Sequence, residues 1–334
     1  MLLLVYTWQM FNFPDLTADD IKKAAREFGA DIVGIGSIER WKDVPEPENP
    51  KAIMPRAKSV ICIAFRIHRG VMRGAEEGTY FSAYTLSGFD DINQVIAPTV
   101  QRKLANFIED HGFEAAPVMY YAKNLGMNTG EAAQRPDGTL KPKPEISFNF
   151  RTGGVLCGIG EVGHSRNLLT KKFGPSQRVY FIITEAELDE DPIINGICDR
   201  CMECVKICPA KALHHKANDS IEIPNVTTIR RSSLDVIKCR LAHIAGGLSP
   251  YAPEEVKRYV KNIVDGTAEC AADGSPRPAP EEIDEYVTSK VSYAANAQKL
   301  FHSPSGLCGT GCIRACLAHL SAKDTLSLKF RHQF

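Results

Sequence analysis

The chain has 334 residues in which Lys plus Arg equals Asp plus Glu at 40 each, so its formal charge is zero. That balance gives no electrostatic case for nucleic acid or an anionic membrane surface as partner. A hydrophobic content of 44% is ordinary for a soluble globular protein, and the length allows a real core in one large or two modest domains.

The opening Met1-Leu-Leu-Leu-Val-Tyr-Thr-Trp8 has no basic n-region, twin arginine or cleavage site and is too short to cross a bilayer, so residues 1–15 read as an extension. Met10 is an alternative start. Thr17-Ala-Asp-Asp20 predicts a capped helix whose face carries Ile21, Ala24, Ala25 and Phe28, ended by Gly29. Buried strands are predicted at Asp31-Ile-Val-Gly-Ile-Gly36 and at Ser59-Val-Ile-Cys-Ile-Ala-Phe65. A long helix is expected across Asp91–His111 with Val95, Val100, Leu104 and Phe107 in the core, then a loop over Asn124–Pro144. Gly154–Gly163 precedes a helix-like piece and the apolar run Val179–Thr184. Residues 16–190 thus read as one domain and 191–334 as a second, cysteine-rich module with an insertion at 240–307.

The cysteines bunch as metal ligands do, not as a disulfide framework, which points to a reducing compartment, the cytoplasm. Cys198-x-x-Cys201-x-x-Cys204-x-x-x-Cys208-Pro209 is the bacterial ferredoxin run, in which three thiolates wrap one 4Fe–4S cubane and the fourth serves another. Zinc would call for paired Cys-x-x-Cys units closing on one ion. The run needs four partners, and Cys239, Cys308, Cys312 and Cys316 supply them. We assign Cys198, Cys201, Cys204 and Cys316 to the first cluster and Cys208, Cys239, Cys308 and Cys312 to the second. Cys270 is the alternative ligand, Cys157 has no partner pattern, and Cys62 lies in an apolar strand as a core thiol.

Gly158-Ile-Gly-Glu-Val-Gly163 fits G-x-G-x-x-G, the dinucleotide fingerprint, but Phe173-Gly-Pro-Ser176 breaks the crossover helix that fingerprint requires. A glycine-rich packing turn and a backbone surface for another large cofactor are the competing readings.

With Leu168-Leu-Thr170, Phe173-Gly-Pro175, Arg178, Ile183-Thr184, Asp191-Pro-Ile193 and the run Cys198 to Pro209, this segment resembles the core of cobalamin-dependent reductive dehalogenases. It is also similar to the related epoxyqueuosine reductases. The likeness extends loosely to Gly29–Gly34, Pro55–Ile61 and His111-Gly-Phe113, and Lys238-Cys239 resembles the families' isolated ligand. The resemblance implies an α+β fold: a nitroreductase-like α/β domain binding base-off cobalamin, joined to a bacterial ferredoxin-like module with two 4Fe–4S clusters. It places Gly158, Ile159, Gly160, Glu161, Val162, Gly163, His164, Ser165 and Arg178 at the cobalamin.

Electrons would then pass from an external low-potential donor of ferredoxin or flavodoxin type through both clusters to cobalt and on to a small organic substrate. The proton-donor candidates are Tyr120, Tyr121, Lys123, Glu145 and Arg151; a cation beside a tyrosine favours the phenolate left after transfer. Epoxyqueuosine reductases carry Asp-Ser-Ala-Pro where this chain reads Glu145-Ile-Ser-Phe-Asn-Phe-Arg151, so tRNA as substrate is the second reading. A non-enzyme that carries electrons or handles cobalamin is the third. The 240–307 insertion is expected either to cover the cofactor's substrate face or to pack over the clusters or in a homodimer contact.

Overall fold

The computed structural model of the protein describes residues 13–44, 48–77, 79, 83–118, 148–235, 238–239, 254, 258, 261–262, 265 and 311–332. Helix α1 (Ala18–Glu27) starts with a reciprocal capping box between Thr17 and Asp20 and ends at Gly29, whose φ of +117° is the left-handed turn-off. Then come β1 (Ile32–Ser37), β2 (Ser59–Arg66) and α2 (Arg69–Glu77). After them come α3 (Ala97–Glu109), β3 (Ala115–Val118), α4 (Phe150–Leu156), β4 (Glu161–Val162), β5 (Leu168–Leu169) and β6 (Gln177–Thr184). The cysteine-rich part supplies α5 (Glu203–Lys206), β7 (Asp219–Ile223), β8 (Thr227–Arg231) and α6 (Cys312–Ala322).

Four strands form an antiparallel sheet in the order β1-β2-β6-β3, with Ile61 opposite Ile182 and Cys62 opposite Phe181 at its centre. Alternation sorts the side chains into two cores. Ile61, Ile63, Phe65, Tyr180 and Ile182 face α1 and α3, where Ile21, Ala25, Val100, Leu104 and Ile108 are buried. Val60, Cys62, Ala64, Phe181 and Ile183 face α4, Trp41 and the β7–β8 hairpin, which contributes Ile223 and Ile229. Each such aliphatic or aromatic side chain stabilises the fold by about 1.5–3 kcal/mol relative to exposure, and this sandwich holds the rest in place. The result is a mixed α/β architecture.

Two expectations need correction. The helix predicted over 91–111 is regular only as α3; Ile92–Ile96 forms a wide π turn before it. That turn changes the angular spacing of side chains, and Val95, expected in the core, is 58% exposed. The piece after Gly163 is not helical: β4 and β5 pair as a short hairpin, Val162 opposite Leu168, and Phe173-Gly-Pro175 turns the chain into β6. No crossover helix follows the glycine turn, so its dinucleotide context is missing.

The sheet is fastened to the cysteine-rich part by Arg40. Its guanidinium donates to Leu156 O at the end of α4 and to Asp191 O, and it pairs with Glu190 at 2.9 Å. Asp191 accepts the Ile35 N–H and pairs with Lys22 at 2.7 Å, so the segment leading to Cys198 is tied to β1 and α1. Among the described residues no helix is long and apolar enough to cross a membrane.

Candidate metal centre

Cys198, Cys201, Cys204 and Cys316 line one cavity, together with His164, Ser165, Leu169, Met202 and Leu320. Cys198 and Cys201 lie in the loop entering α5, Cys204 in α5 itself, and Cys316 in α6, which packs back on α5 far along the chain. Among the described residues no disulfide joins any cysteines. Burial, and next the neighbouring Cys312, Cys198 and Cys201, push the Cys204 thiol up to about 12. Cys316 is raised by burial and then by Cys198, Cys204 and Cys201, and Cys201 is raised by burial first. Converging thiols of which Cys201, Cys204 and Cys316 resist ionisation are a poor arrangement alone. They become strong ligands around a cationic metal core, which deprotonates a coordinating thiol outright. The donor set therefore fits an iron–sulfur cluster.

The backbone between these ligands is shaped for the same purpose. Arg200 (φ 58°) and Met202 (φ 64°) are both left-handed, at about 1–3 kcal/mol each for non-glycine residues. Left-handed residues alternating with right-handed ones gather successive N–H groups into an anion-holding concavity, as at many iron–sulfur sites. Between the first two ligands, the Asp199 carboxylate accepts the Cys201 N–H at 3.2 Å, His319 Nε2 at 2.9 Å and Lys323 Nζ. The Lys323 and His319 hydrogen bonds lower the Asp199 carboxyl to about 2. Asp199, Cys201 and His319 offer ligand atoms within 4.8 Å of one another. Because Lys323 and His319 already occupy the carboxylate, the group is a latch from loop to α6, not a separate ion site.

The glycine turn borders the cluster cavity and is filled largely by its own chain. A Cβ on Gly160 would lie 2.0 Å from Leu169 O, and Gly158 (φ +69°) would meet Pro192 O at 2.6 Å. The close backbone approach anticipated for a corrin is made here to the protein itself. Ile159 and Val162 belong to the core beneath the sheet. His164 is 3% exposed; its Nε2 donates to His214 O at 2.7 Å, and its buried Nδ1 has no partner among the described residues. Arg178 is separated from this turn: it follows the face of Tyr180, donates to Gly88 O and Tyr84 Oη, and stacks 4.2 Å over Phe89. Ile159 and Val162 thus sit in the core on one side of the sheet, and Arg178 packs against Tyr84 on the other.

Of the second ligand set, Cys208 follows α5 and its Sγ accepts the Ala212 N–H at 3.3 Å. Cys239 lies one turn beyond Asp235, whose carbonyl accepts its N–H at 2.9 Å, and Cys312 opens α6. Cys308 and Cys270 lie outside the described residues, as do Tyr120, Tyr121, Lys123, Glu145 and nearly all of the 240–307 insertion. Arg151, in the first turn of α4, is exposed. Cys62 and Cys157 are fully buried, with Cys157 donating to Val60 O at 3.3 Å; burial raises both thiols, so they are inert core groups. Sequence reasoning missed the Asp199 latch and the left-handed pair. Neither has a glycine or a spacing signal to mark it.

No family model matches the chain. A tetrachloroethene reductive dehalogenase of Desulfitobacterium hafniense is 26% identical over 256 residues, 61% of this chain and 40% of that protein. An epoxyqueuosine reductase of Gloeobacter violaceus is 21% identical over 276 residues, 76% of this chain and 74% of its own length. The chain thus spans about 40% of the dehalogenases it matches. A solved reductive dehalogenase, described in terms of a mechanism for B12-dependent dehalogenation, aligns with 92% of this chain and 40% of its own at 16% identity and a TM-score of 0.46. Both sequence relatives fall in the superfamily that the cysteine run and its flanks resemble, that of the reductive dehalogenases and epoxyqueuosine reductases.

Proposed function

We propose that the protein is an iron–sulfur and cobalamin-dependent reductase, resembling the reductive dehalogenases, that acts on a small organic molecule. The observation carrying this reading is the convergence of Cys198, Cys201, Cys204 and Cys316 on one cavity beside the glycine turn. Cys208, Cys239, Cys308 and Cys312 are assigned to a second cluster. Cobalamin, when bound in its base-off form, would supply a cobalt centre able to deliver electrons to a substrate carbon. The unpartnered His164 Nδ1 fits such a ligand, since an acceptor buried without a donor is costly and the cofactor's amide side chains offer donors. His164 holds a second position too: its backbone N–H lies 3.4 Å from Cys198 Sγ, so the same residue touches the cluster ligand. Electrons would enter from a ferredoxin or flavodoxin.

Anaerobic reconstitution tests the reading. A brown protein with about eight iron and eight sulfide per chain, taking up cobalamin with a base-off EPR spectrum, supports it. A single zinc without sulfide, or clusters with no cobalamin uptake, defeats it. The epoxyqueuosine reductase reading is favoured by the length of its match, which spans 76% of this chain and 74% of that relative. Halide release from small organohalides against reduction of epoxyqueuosine in tRNA separates the two.

A further inference from the structure

Cys198 is held from two sides by one turn. From the first strand of the β4–β5 hairpin, Glu161 reaches residues 35 and 37 positions further on: Oε2 accepts the Gly196 N–H at 2.7 Å and Oε1 accepts the Cys198 N–H. Three residues after Glu161, the His164 N–H donates to Cys198 Sγ at 3.4 Å. The first ligand of the ferredoxin run is therefore fixed by a carboxylate at its amide and by an amide at its sulfur.

The two contacts act in opposite directions on a cluster. Reduction potentials of iron–sulfur centres follow the net charge nearby, the hydrogen bonds to sulfur and solvent exposure. A donor to Sγ eases the uptake of an electron. A carboxylate beside the ligand opposes it, and it also keeps the Cys198 N–H from donating to a cluster sulfur. Two backbone donors are given to Glu161, while one is given to Sγ. Glu161 and His164 both border the cleft beside Cys198 that Arg200 and Arg230 also line, so the carboxylate is part of the cluster's immediate surroundings.

We propose that Glu161 is a positioning residue that keeps the first cluster at low potential, through its charge and through its hold on the Cys198 amide. This rests on the reading that Cys198, Cys201, Cys204 and Cys316 bind a cluster. A low potential makes that cluster a stronger donor to whatever it reduces.

The test is an EPR-monitored redox titration of the anaerobically reconstituted full chain, with Glu161→Gln and Glu161→Asp beside the parent. The Gln variant keeps the shape and loses the charge. It should load the same iron and sulfide, with the first cluster reduced at least tenfold more favourably, a shift of about 59 mV to more positive potential for one electron. The Asp variant should stay nearer the parent value. Coincident potentials in the parent and the Gln variant, at full iron content, overturn the proposal. Loss of iron in both variants makes Glu161 a strut only and overturns it as well. If the parent itself binds no cluster, the functional reading fails first and is seen to fail by iron and sulfide content alone.

Discussion

Cys316 reaches a cavity whose other three cysteines are set within seven consecutive residues, so it is the most informative thiol to remove. Cys316→Ser should lower iron and sulfide by about four each per chain, with the second cluster retained. Loss of both clusters, or of neither, would show that the ligand sets are drawn wrongly. Asp219 gives a different kind of test. It accepts from Arg166 and Arg231, holding the β7–β8 hairpin against the turn after His164, and the Arg166 hydrogen bond is the leading cause of its lowered pKa. A carboxyl lowered in the folded state stabilises above its unfolded value near 3.8, and that contribution fades as pH falls through the lower folded value. Asp219→Asn should therefore cost about 1 kcal/mol at neutral pH, discounted for partial exposure, with the gap from the parent closing below about pH 4. Urea unfolding of the apo-protein at pH 7 and pH 3 measures it. At this scale the gathering of Cys198, Cys201 and Cys204 on one cavity is legible in their close spacing along the chain. For Glu161 the sequence suggests only a place at the cobalamin, because the amides it binds lie far along the chain.

Among the elements, the sheet strands were the most legible: β1, β2 and β6 are apolar runs of the right length, bounded by turn residues. Val95 was misplaced because a π turn obeys a different spacing from the regular helix that follows it. The β4–β5 hairpin is hidden in the sequence because two-residue strands carry no periodicity; what shapes it is packing on α4 and the close approach of Gly160 to the Leu169 backbone. That contact yields a prediction. Gly160→Ala would drive a methyl into the Leu169 carbonyl, which is backbone and cannot swing away. It should destabilise the protein by about 3 kcal/mol or more, beyond the usual range for an overpacked side chain, and should weaken cluster loading with it. Chemical denaturation of the apo-protein reads the first effect, and iron content reads the second. A stable, fully loaded Gly160→Ala protein would contradict the packing role of the turn.

Across the whole molecule, α6 is closed onto the rest by the proposed cluster through Cys316, by the Asp199 latch through His319 and Lys323, and by the Arg314–Glu76 ion pair to α2 at 3.2 Å. Beyond α6, the Ser327 and Leu328 N–H groups donate to Lys171 O and Lys172 O, so the segment is also pinned to the turn before β6. Metal binding that joins distant segments is coupled to folding. Limited proteolysis should accordingly cut near residues 323–332 faster in iron-free protein than in loaded protein; equal rates would show that the polypeptide contacts secure this end without the cluster. The separation of Cys204 from Cys316 has a further consequence, in time. At a ribosomal rate of 5–20 residues per second, about 110 intervening residues take about 6–20 seconds to make. For that interval a nascent chain carries three of the four proposed ligands and lacks the fourth. Completion of the site therefore waits for α6, and a cellular iron–sulfur carrier that acted on the emerging polypeptide would meet three thiols and an open fourth position.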